Sequence, residues 1–318
     1  MIFLDMPNLF ILLLALVIDL TLGEPPNPVH PVVWMGNFIK LLMKGSGGPG
    51  RSRAVQFVYG LMVSLVTNGV FSAAAYFLLA YLRSLSVLAY ILVGAVLFKT
   101  TFSFRGLGKA ALQVKDLLVE NKLPEARSAV RALVGRDTTK LDGSQVVSAT
   151  VESVAENSCD SFVAPLLFFL LLGVPGALAY RAVNTLDNSI GFRGKYEYLG
   201  KFAARLDDVV NFIPARITAF LFVLAGWISR NDIRGAWMVM FRDHGKTASP
   251  NGGWTMGAMA GALGVQLEKI GYYKLGDSRN SLSSSTIDRS MTVMTLMAVL
   301  WTLLIVIGEV GIYVFTQA

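Results

Sequence analysis

The sequence predicts an all-α, polytopic integral membrane protein with about five to six membrane segments, one of them re-entrant, and helical cytoplasmic loops. Three observations carry this. Of 318 residues, 54% are hydrophobic and only 15% charged, and the mean hydropathy is +0.56. Apolar stretches fall at 9–22, 55–82, 85–104, 162–183, 212–229 and 291–315, several near the ~20 residues that a helix needs to cross hydrocarbon. The last, Met291 to Phe315, carries Glu309 as its single charge.

The first stretch has no basic start, contains Asp5 and Asp19, and runs into Gly23-Glu24-Pro25-Pro26 without a small-residue cleavage pattern, so it is expected to be mature structure rather than a signal peptide. Counting spans onward places 23–54, 105–160 and 230–290 on one side. These loops hold most of the Lys and Arg, which makes that side cytoplasmic. The stretch 184–211 breaks the count. A turn at Val174-Pro175-Gly176 restores it by making 162–187 a re-entrant pair that brings Asp187 back beside Asp160. The segment from 212, interrupted by Pro214 and Arg216, then also has to fold back or lie obliquely.

The chain reads as a single membrane domain, 1–318, with a soluble helical hairpin inserted at 105–145 and a cytoplasmic loop with short helices at 230–290. In the hairpin, Leu107, Ala110, Val114, Leu117 and Leu118 mark one helical face, and Pro124 opens a second helix with Ala126, Val130 and Leu133 inward. Asp142 with Gln145 has the form of a capping box. Gly253, Gly257 and Gly261 recur every four residues, a spacing that favours close helix packing over ligand contact. The lone Cys159 excludes an intramolecular disulfide and reads as a small buried residue. The net charge of +7 is spread along the chain rather than interleaved with aromatics, which argues against a nucleic-acid surface.

Three acidic groups are candidates for chemistry: Glu152, Glu156 and Asp160 with Asn157; Asn184 with Asp187; and Asp207 and Asp208 with Asn211. On a helix, Glu152, Glu156 and Asp160 share one face. Carboxylates at a membrane edge suit Mg²⁺, which keeps several waters and is shared with substrate phosphates; a polar seam between helices is the alternative. Cations able to hold phosphate are Arg136, Arg181, Arg193, Lys195, Arg216, Arg242 and Lys246; a topology anchor is the other reading of each. Arg242 and Lys246 stand first, accompanied by His244, Ser249 and Asn251. Gly245-Lys246-Thr247 is not a phosphate loop, because Met240 occupies the place of the first glycine. Prolines on both sides of His30 fix an extended loop that presents Glu24, His30 and Trp34, as a binding element or as a structural lid.

That loop resembles the opening signature of the adenosylcobinamide-phosphate synthases of cobalamin biosynthesis, the CobD/CbiB family. The resemblance runs nearly end to end. It continues through Gly135-Arg136-Asp137-Thr138, Val151-Glu152-Ser153-Val154-Ala155-Glu156-Asn157, Ala182-Val183-Asn184-Thr185-Leu186-Asp187, Ala204-Arg205-Leu206-Asp207-Asp208, Arg242-Asp243 and Ser249-Pro250-Asn251. Ser161 stands where the family commonly has Gly, and Thr247 where a His is frequent.

The resemblance implies ATP-dependent amide ligation of aminopropanol or its phosphate to a propionate carboxylate of adenosylcobyric acid, in a multi-pass cell-membrane protein whose active site faces the cytoplasm. Read onto this sequence, Glu152, Glu156, Asp160, Asp207 and Asp208 would hold Mg²⁺ with ATP, and Arg136, Arg216, Arg242 and Lys246 would contact phosphate. Asp187 or His244 would serve as base. Asp19, Glu24, His30 and Trp34, with Asn157, Asn184, Asn211, Ser249 and Asn251, would bind substrate. A homo-oligomer is compatible with this reading. A non-catalytic membrane sensor of related fold and an ion-coupled transporter are the rival classes.

Overall fold

The computed structural model describes residues 6–46, 50–191 and 196–317, so Asp5, Arg193 and Lys195 lie outside the described residues. Almost every described segment is helical: α1 (Pro7–Thr21), α2 (Pro31–Met43), α3 (Arg53–Leu85), α4 (Val87–Lys99), α5 (Phe104–Val119), α6 (Leu123–Val130), α7 (Gly143–Ser158), a π-helical turn (Cys159–Val163), α8 (Ala164–Ile190), α9 (Lys201–Val210), α10 (Phe212–Ile228), α11 (Ile233–Asp243), α12 (Gly252–Leu263) and α13 (Ser284–Gln317). Between α12 and α13 a small antiparallel hairpin pairs β1 (Leu267–Lys269) with β2 (Tyr273–Leu275), an addition to the all-helical expectation. By length and composition four helical stretches can cross a membrane: Arg53–Leu85, Val87–Val119, Gly143–Ile190 and Ser284–Phe315. The number becomes five if α9 and α10 together form one span.

The chain divides into two compact units, one of 1–103, 164–210 and 305–318, the other of 104–163 and 211–304.

In the first unit, α3 packs against α8, and α1 against α4. Helix α8 is broken at Gly173, whose φ of 67° and ψ of −162° suit only glycine. The ring centroids of Phe168 and Tyr180 lie 5.2 Å apart, whereas residues twelve apart on one straight helix are separated by ~18 Å. The chain therefore doubles back at Gly173, one residue before the turn expected at Val174-Pro175-Gly176, and Pro175 starts the returning arm, where its missing N–H removes nothing. The hairpin is tied to α3 by Asn68, whose Nδ2 donates to the Ala179 carbonyl at 2.9 Å. Gly60 on α3 lies so close to the Leu199 carbonyl that a methyl there would overlap it.

In the second unit, the expected helical hairpin is α5 and α6. Val114, Ala126 and Val130 form a core with Leu141, just before α7, and with Val146 and Ala149 on it, and Leu117, Leu118 and Leu133 pack at its edge. Ala111 rather than Ala110 is the fully buried alanine of α5. The capping box forms as expected: Asp142 accepts from the Gln145 N–H at 2.8 Å, and the Gln145 side chain accepts from the Asp142 N–H at 2.9 Å. Helices α10, α11 and α12 pack together, and all three spaced glycines serve that packing. A methyl on Gly253 would overlap the His244 carbonyl and one on Gly261 the Gly235 carbonyl, while one on Gly257 would meet Cα of Met240 at 3.3 Å.

Candidate active site

The expected face of three carboxylates is divided by burial. Glu152 is 4% exposed, Glu156 is exposed, and Asp160 is half-buried within the π turn. Both Glu152 oxygens are engaged. Oε1 accepts from Ser148 Oγ at 2.7 Å and from Arg136 at 3.3 Å, and Oε2 accepts from the Tyr273 hydroxyl at 2.8 Å. The main-chain N–H of Glu268 on β1 donates to the same Ser148 hydroxyl at 2.8 Å, so the hairpin is latched onto α7 through this cluster. Burial first, and the Glu152 charge second, hold the Tyr273 phenol well above its ordinary pKa.

Arg136 thus meets a carboxylate here, rather than standing apart for phosphate. Glu152, buried and already holding three hydrogen bonds, fits a structural role better than that of a ligand for Mg²⁺. Among the described residues no group of three or more His, Cys, Asp and Glu side chains is arranged to hold a metal. Glu156 is exposed where Glu152 is buried, and its Oε1 lies 3.0 Å from where a Cβ on Gly252 would sit, at the start of α12. A carboxylate or two beside substrate phosphates is the usual Mg²⁺ environment, and Glu156 with Asp160 fits that donor set. Asn157, between them, donates to the Ser153 hydroxyl at 2.9 Å and the Ser153 carbonyl at 3.0 Å.

The N-terminus of α12 gathers several of the remaining residues. Asn251 at its N-cap makes no side-chain capping bond; it is buried together with Gly252 and Gly253, and the main-chain N–H of Trp254 bonds its carbonyl at 3.0 Å. Arg216 donates to Asn251 Oδ1 at 2.9 Å, and its guanidinium lies 3.5 Å over the Phe212 ring and 4.9 Å over Trp254. The Asn251 N–H donates to Ser249 Oγ at 3.2 Å. His244 stacks on Trp254 with centroids 4.3 Å apart, and its Nδ1 lies 2.9 Å from the Phe241 carbonyl. A carbonyl only accepts, so Nδ1 carries the proton and the lone pair is on Nε2. The Trp254 Nε1–H is buried without a hydrogen-bond partner, a donor directed into this corner. Asn211, 2% exposed, lies 3.9 Å from the sulfur of the buried Cys159.

Next to this corner Asp243 is fully buried. It is held by two Arg242 nitrogens at 2.8 Å each, by Lys246 at 2.6 Å and by the Gly276 N–H at 2.8 Å. Burial acts to raise its pKa, but the bonds from Arg242, Lys246 and Gly276 prevail and hold it well below the usual carboxylate range. Arg242 also bonds Asp277 at 3.0 Å. Arg242 is therefore committed to carboxylates, while Lys246, with a 48% exposed side chain, keeps a face toward solvent.

The other expected residues lie in the first unit. There the loop after α1 is built on Lys99, a buried cation that sequence reasoning missed. Its Nζ lies 3.1 Å from Asp19 and 2.8 Å from Glu24, and donates to the Phe102 carbonyl at 3.1 Å. Glu24 Oε2 meets His30 Nε2 at 3.0 Å, and the Val32 N–H donates to His30 Nδ1 at 3.2 Å, which places the imidazole proton on Nε2. Burial acts to raise the Glu24 pKa, yet bonds with His30, Lys99 and Ser103 bring it down to about 2. Trp34 donates to the Pro28 carbonyl at 2.8 Å and remains 48% exposed. The loop is thus braced from within and presents one aromatic face. A lone lysine closing the apolar run Ile91–Phe98 was the available signal.

Asn184 Oδ1 accepts from Arg181 at 3.2 Å, and its Nδ2 lies 3.5 Å from Asp207. Asp208 pairs with Arg205 at 3.2 Å. Asp187 lies so close over Gly191 that a methyl there would overlap its carboxylate.

A family model described as CobD/Cbib protein matches residues 12–303. The chain belongs to the CobD/Cbib family. It is 49% identical over 314 residues to the cobalamin biosynthesis protein CobD of Dehalococcoides mccartyi, covering 98% of this chain and 99% of that one. It is 39% identical to the probable cobalamin biosynthesis protein CobD of Methanothermobacter thermautotrophicus, covering 94% and 97%, and 36% identical to CobD of Yersinia enterocolitica, covering 91% and 94%. No solved structure matches the chain. The resemblance read from the sequence motifs is thereby borne out at the level of the CobD/Cbib family.

Proposed function

We propose that this chain acts in cobalamin biosynthesis as an adenosylcobinamide-phosphate synthase: a multi-pass cell-membrane ligase, its site facing the cytoplasm, that uses ATP to join aminopropanol or its phosphate to a propionate of adenosylcobyric acid. The observation that carries the reading is the start of α12, which has no side-chain cap and has Arg216, His244 and the unpartnered Trp254 Nε1–H beside it, with the half-exposed Lys246 in the turn before it. Helix-end N–H groups, guanidinium and ammonium together suit a triphosphate.

In this reading Arg216, Lys246 and the first amides of α12 hold phosphate oxygens as a phosphoryl group passes from ATP to the propionate oxygen. Glu156 and Asp160 would hold Mg²⁺, which would neutralise phosphate charge when bound. The amine nitrogen then attacks the acyl carbon, phosphate leaves with the C–O bonding pair, and the amine proton passes to Nε2 of His244, whose tautomer is set by the Phe241 carbonyl. Glu152, held by Arg136, Ser148 and Tyr273, fixes α7 and the hairpin rather than touching the ion. Trp34, on a loop stiffened by Lys99, Glu24 and His30, is an exposed aromatic ring of the kind that suits a flat ligand.

The test is purified protein in detergent, supplied with adenosylcobyric acid, aminopropanol or its phosphate, Mg²⁺ and ATP. Amide product with stoichiometric nucleotide cleavage is expected. Absence of both, from protein that remains monodisperse, sinks the enzyme reading and leaves the sensor or transporter.

A further inference from the structure

Helix α11 turns four large apolar side chains outward, away from the face that packs on its neighbours. Gly235, Ala236, Val239, Met240 and Asp243 are buried, and Gly235 lets α12 approach closely. Outward stand Ile233, Trp237, Met238 and Phe241, exposed by 38, 50, 47 and 44%. A helix at a water-facing surface shows the opposite pattern, with polar residues outward. The apolar face continues onto α10, because Trp237 lies 5.6 Å from Phe220 and 5.1 Å from Phe241 by ring centroids. Further along α10, Leu224, Trp227 and Ile228 also face outward.

The occupant is decided by length, charge and context. With 11 residues, α11 is ~16 Å long, too short to cross a bilayer. Arg234 on the helix and Arg230 in the turn before it are exposed. Asp232, the acid beside them, is already held by Arg279 at 2.8 Å and by the Gly235 N–H at 2.8 Å, so the free charge of this edge is positive. Tryptophan and phenylalanine on one side with arginine at the margin is the composition of a helix lying in the plane of a membrane interface. The chain's own spanning helices bring a bilayer with them.

We propose that α11 lies in the membrane interface, with Trp237, Met238 and Phe241 at the acyl-headgroup boundary and Arg230 and Arg234 against anionic phospholipid headgroups. This revises the expectation that 230–290 is simply a loop in the cytosol. It does not depend on the ligase reading.

The experiment places a spin label at Met238→Cys or Phe241→Cys, with Lys274→Cys as a water-facing reference, all in a Cys159→Ala background. The protein is placed in nanodiscs of phosphatidylcholine with or without phosphatidylglycerol. Collision rates with oxygen and with a neutral nickel complex are compared. A several-fold rise in the oxygen-to-nickel ratio at 238 and 241 over that at 274 is expected, larger with phosphatidylglycerol and reduced by Arg234→Gln. Equal ratios at all three sites overturn the proposal. So does dipolar broadening between labels at 238, which marks the face as a contact between copies. A ratio that ignores both phosphatidylglycerol and Arg234→Gln overturns the headgroup assignment. Should the cysteine variants aggregate, quenching by headgroup-proximal brominated lipid decides instead. Loss of quenchable emission in Trp237→Phe supports the proposal, and no loss overturns it.

Discussion

The Tyr273 hydroxyl donates to Oε2 of Glu152 at 2.8 Å across 121 positions of sequence. With Ser148 and Arg136 on the other oxygen, the bond makes this carboxylate the point where hairpin, α7 and the Arg136 loop meet. A buried charge so completely paired is costly to expose by halves.

Tyr273→Phe leaves Oε2 buried and short of a donor, so the unfolding free energy is expected to fall by about 1–3 kcal/mol, read by denaturant unfolding in detergent. Glu152→Gln, which keeps the shape and removes the charge paired with Arg136, is expected to lower the unfolding free energy as well. The apparent Mg²⁺ requirement separates the roles. Glu156→Gln should raise it by about tenfold or more, whereas in Tyr273→Phe it stays unchanged. A Mg²⁺ requirement that shifts in Tyr273→Phe would return Glu152 to the ion.

Lys99 is 1% exposed and faces both Asp19 and Glu24. Lys99→Met removes the buried cation that Asp19 and Glu24 share, and a loss of about 3–5 kcal/mol is expected. Adding Asp19→Asn should recover part of it. A double variant as unstable as the single one would mean that the lysine acts through packing alone.

The Glu24 pKa of about 2 lies below the ordinary 4.5, so the folded state binds the Glu24 proton less readily than the unfolded chain does. Its contribution is complete above the ordinary value and is lost as pH falls through 4.5 toward the folded value. Thermal midpoints of the protein and of Glu24→Gln, followed from about pH 6 to about pH 2.5, should converge as pH falls. Parallel curves would exclude the Lys99 and His30 bonds as the source of the shift.

Arg216 holds Asn251 at the start of α12. Arg216→Gln keeps a donor but loses the charge, and the KM for ATP is expected to rise about tenfold, the equivalent of one charge-assisted hydrogen bond. The KM for the amine should change less. An unchanged ATP KM moves the phosphate site away from this corner.

Gly173 adopts a backbone conformation that only glycine occupies readily. Gly173→Ala is expected to destabilise the hairpin by about 1–3 kcal/mol. Gly36→Ala, on a helix where a methyl meets nothing within 4 Å, serves as the control.

Much of this was legible in one dimension. The Asp142 and Gln145 pair announced the start of α7, and the glycines at 253, 257 and 261 announced a close helix contact, because caps and small-residue spacing act within a turn or two of chain. The Val174-Pro175-Gly176 segment announced a reversal but misplaced it by one residue, since only the backbone shows which glycine takes the positive φ. Tyr273 was not legible as the partner of Glu152. Nothing local marks a tyrosine as hydrogen-bonded to a residue so distant.

By itself the sequence determined the helical membrane class, the chain reversal near Pro175 and the family, because hydropathy, local stops and motif order are all written along the chain. Only the tertiary structure decided the fate of each charge. It buried Glu152 under Tyr273 and Arg136, left Glu156 exposed beside α12, and committed Arg242 to Asp243 and Asp277. Whether a carboxylate serves an ion or a neighbouring side chain depends on what else reaches its oxygens, and that is set by packing between segments far apart in sequence.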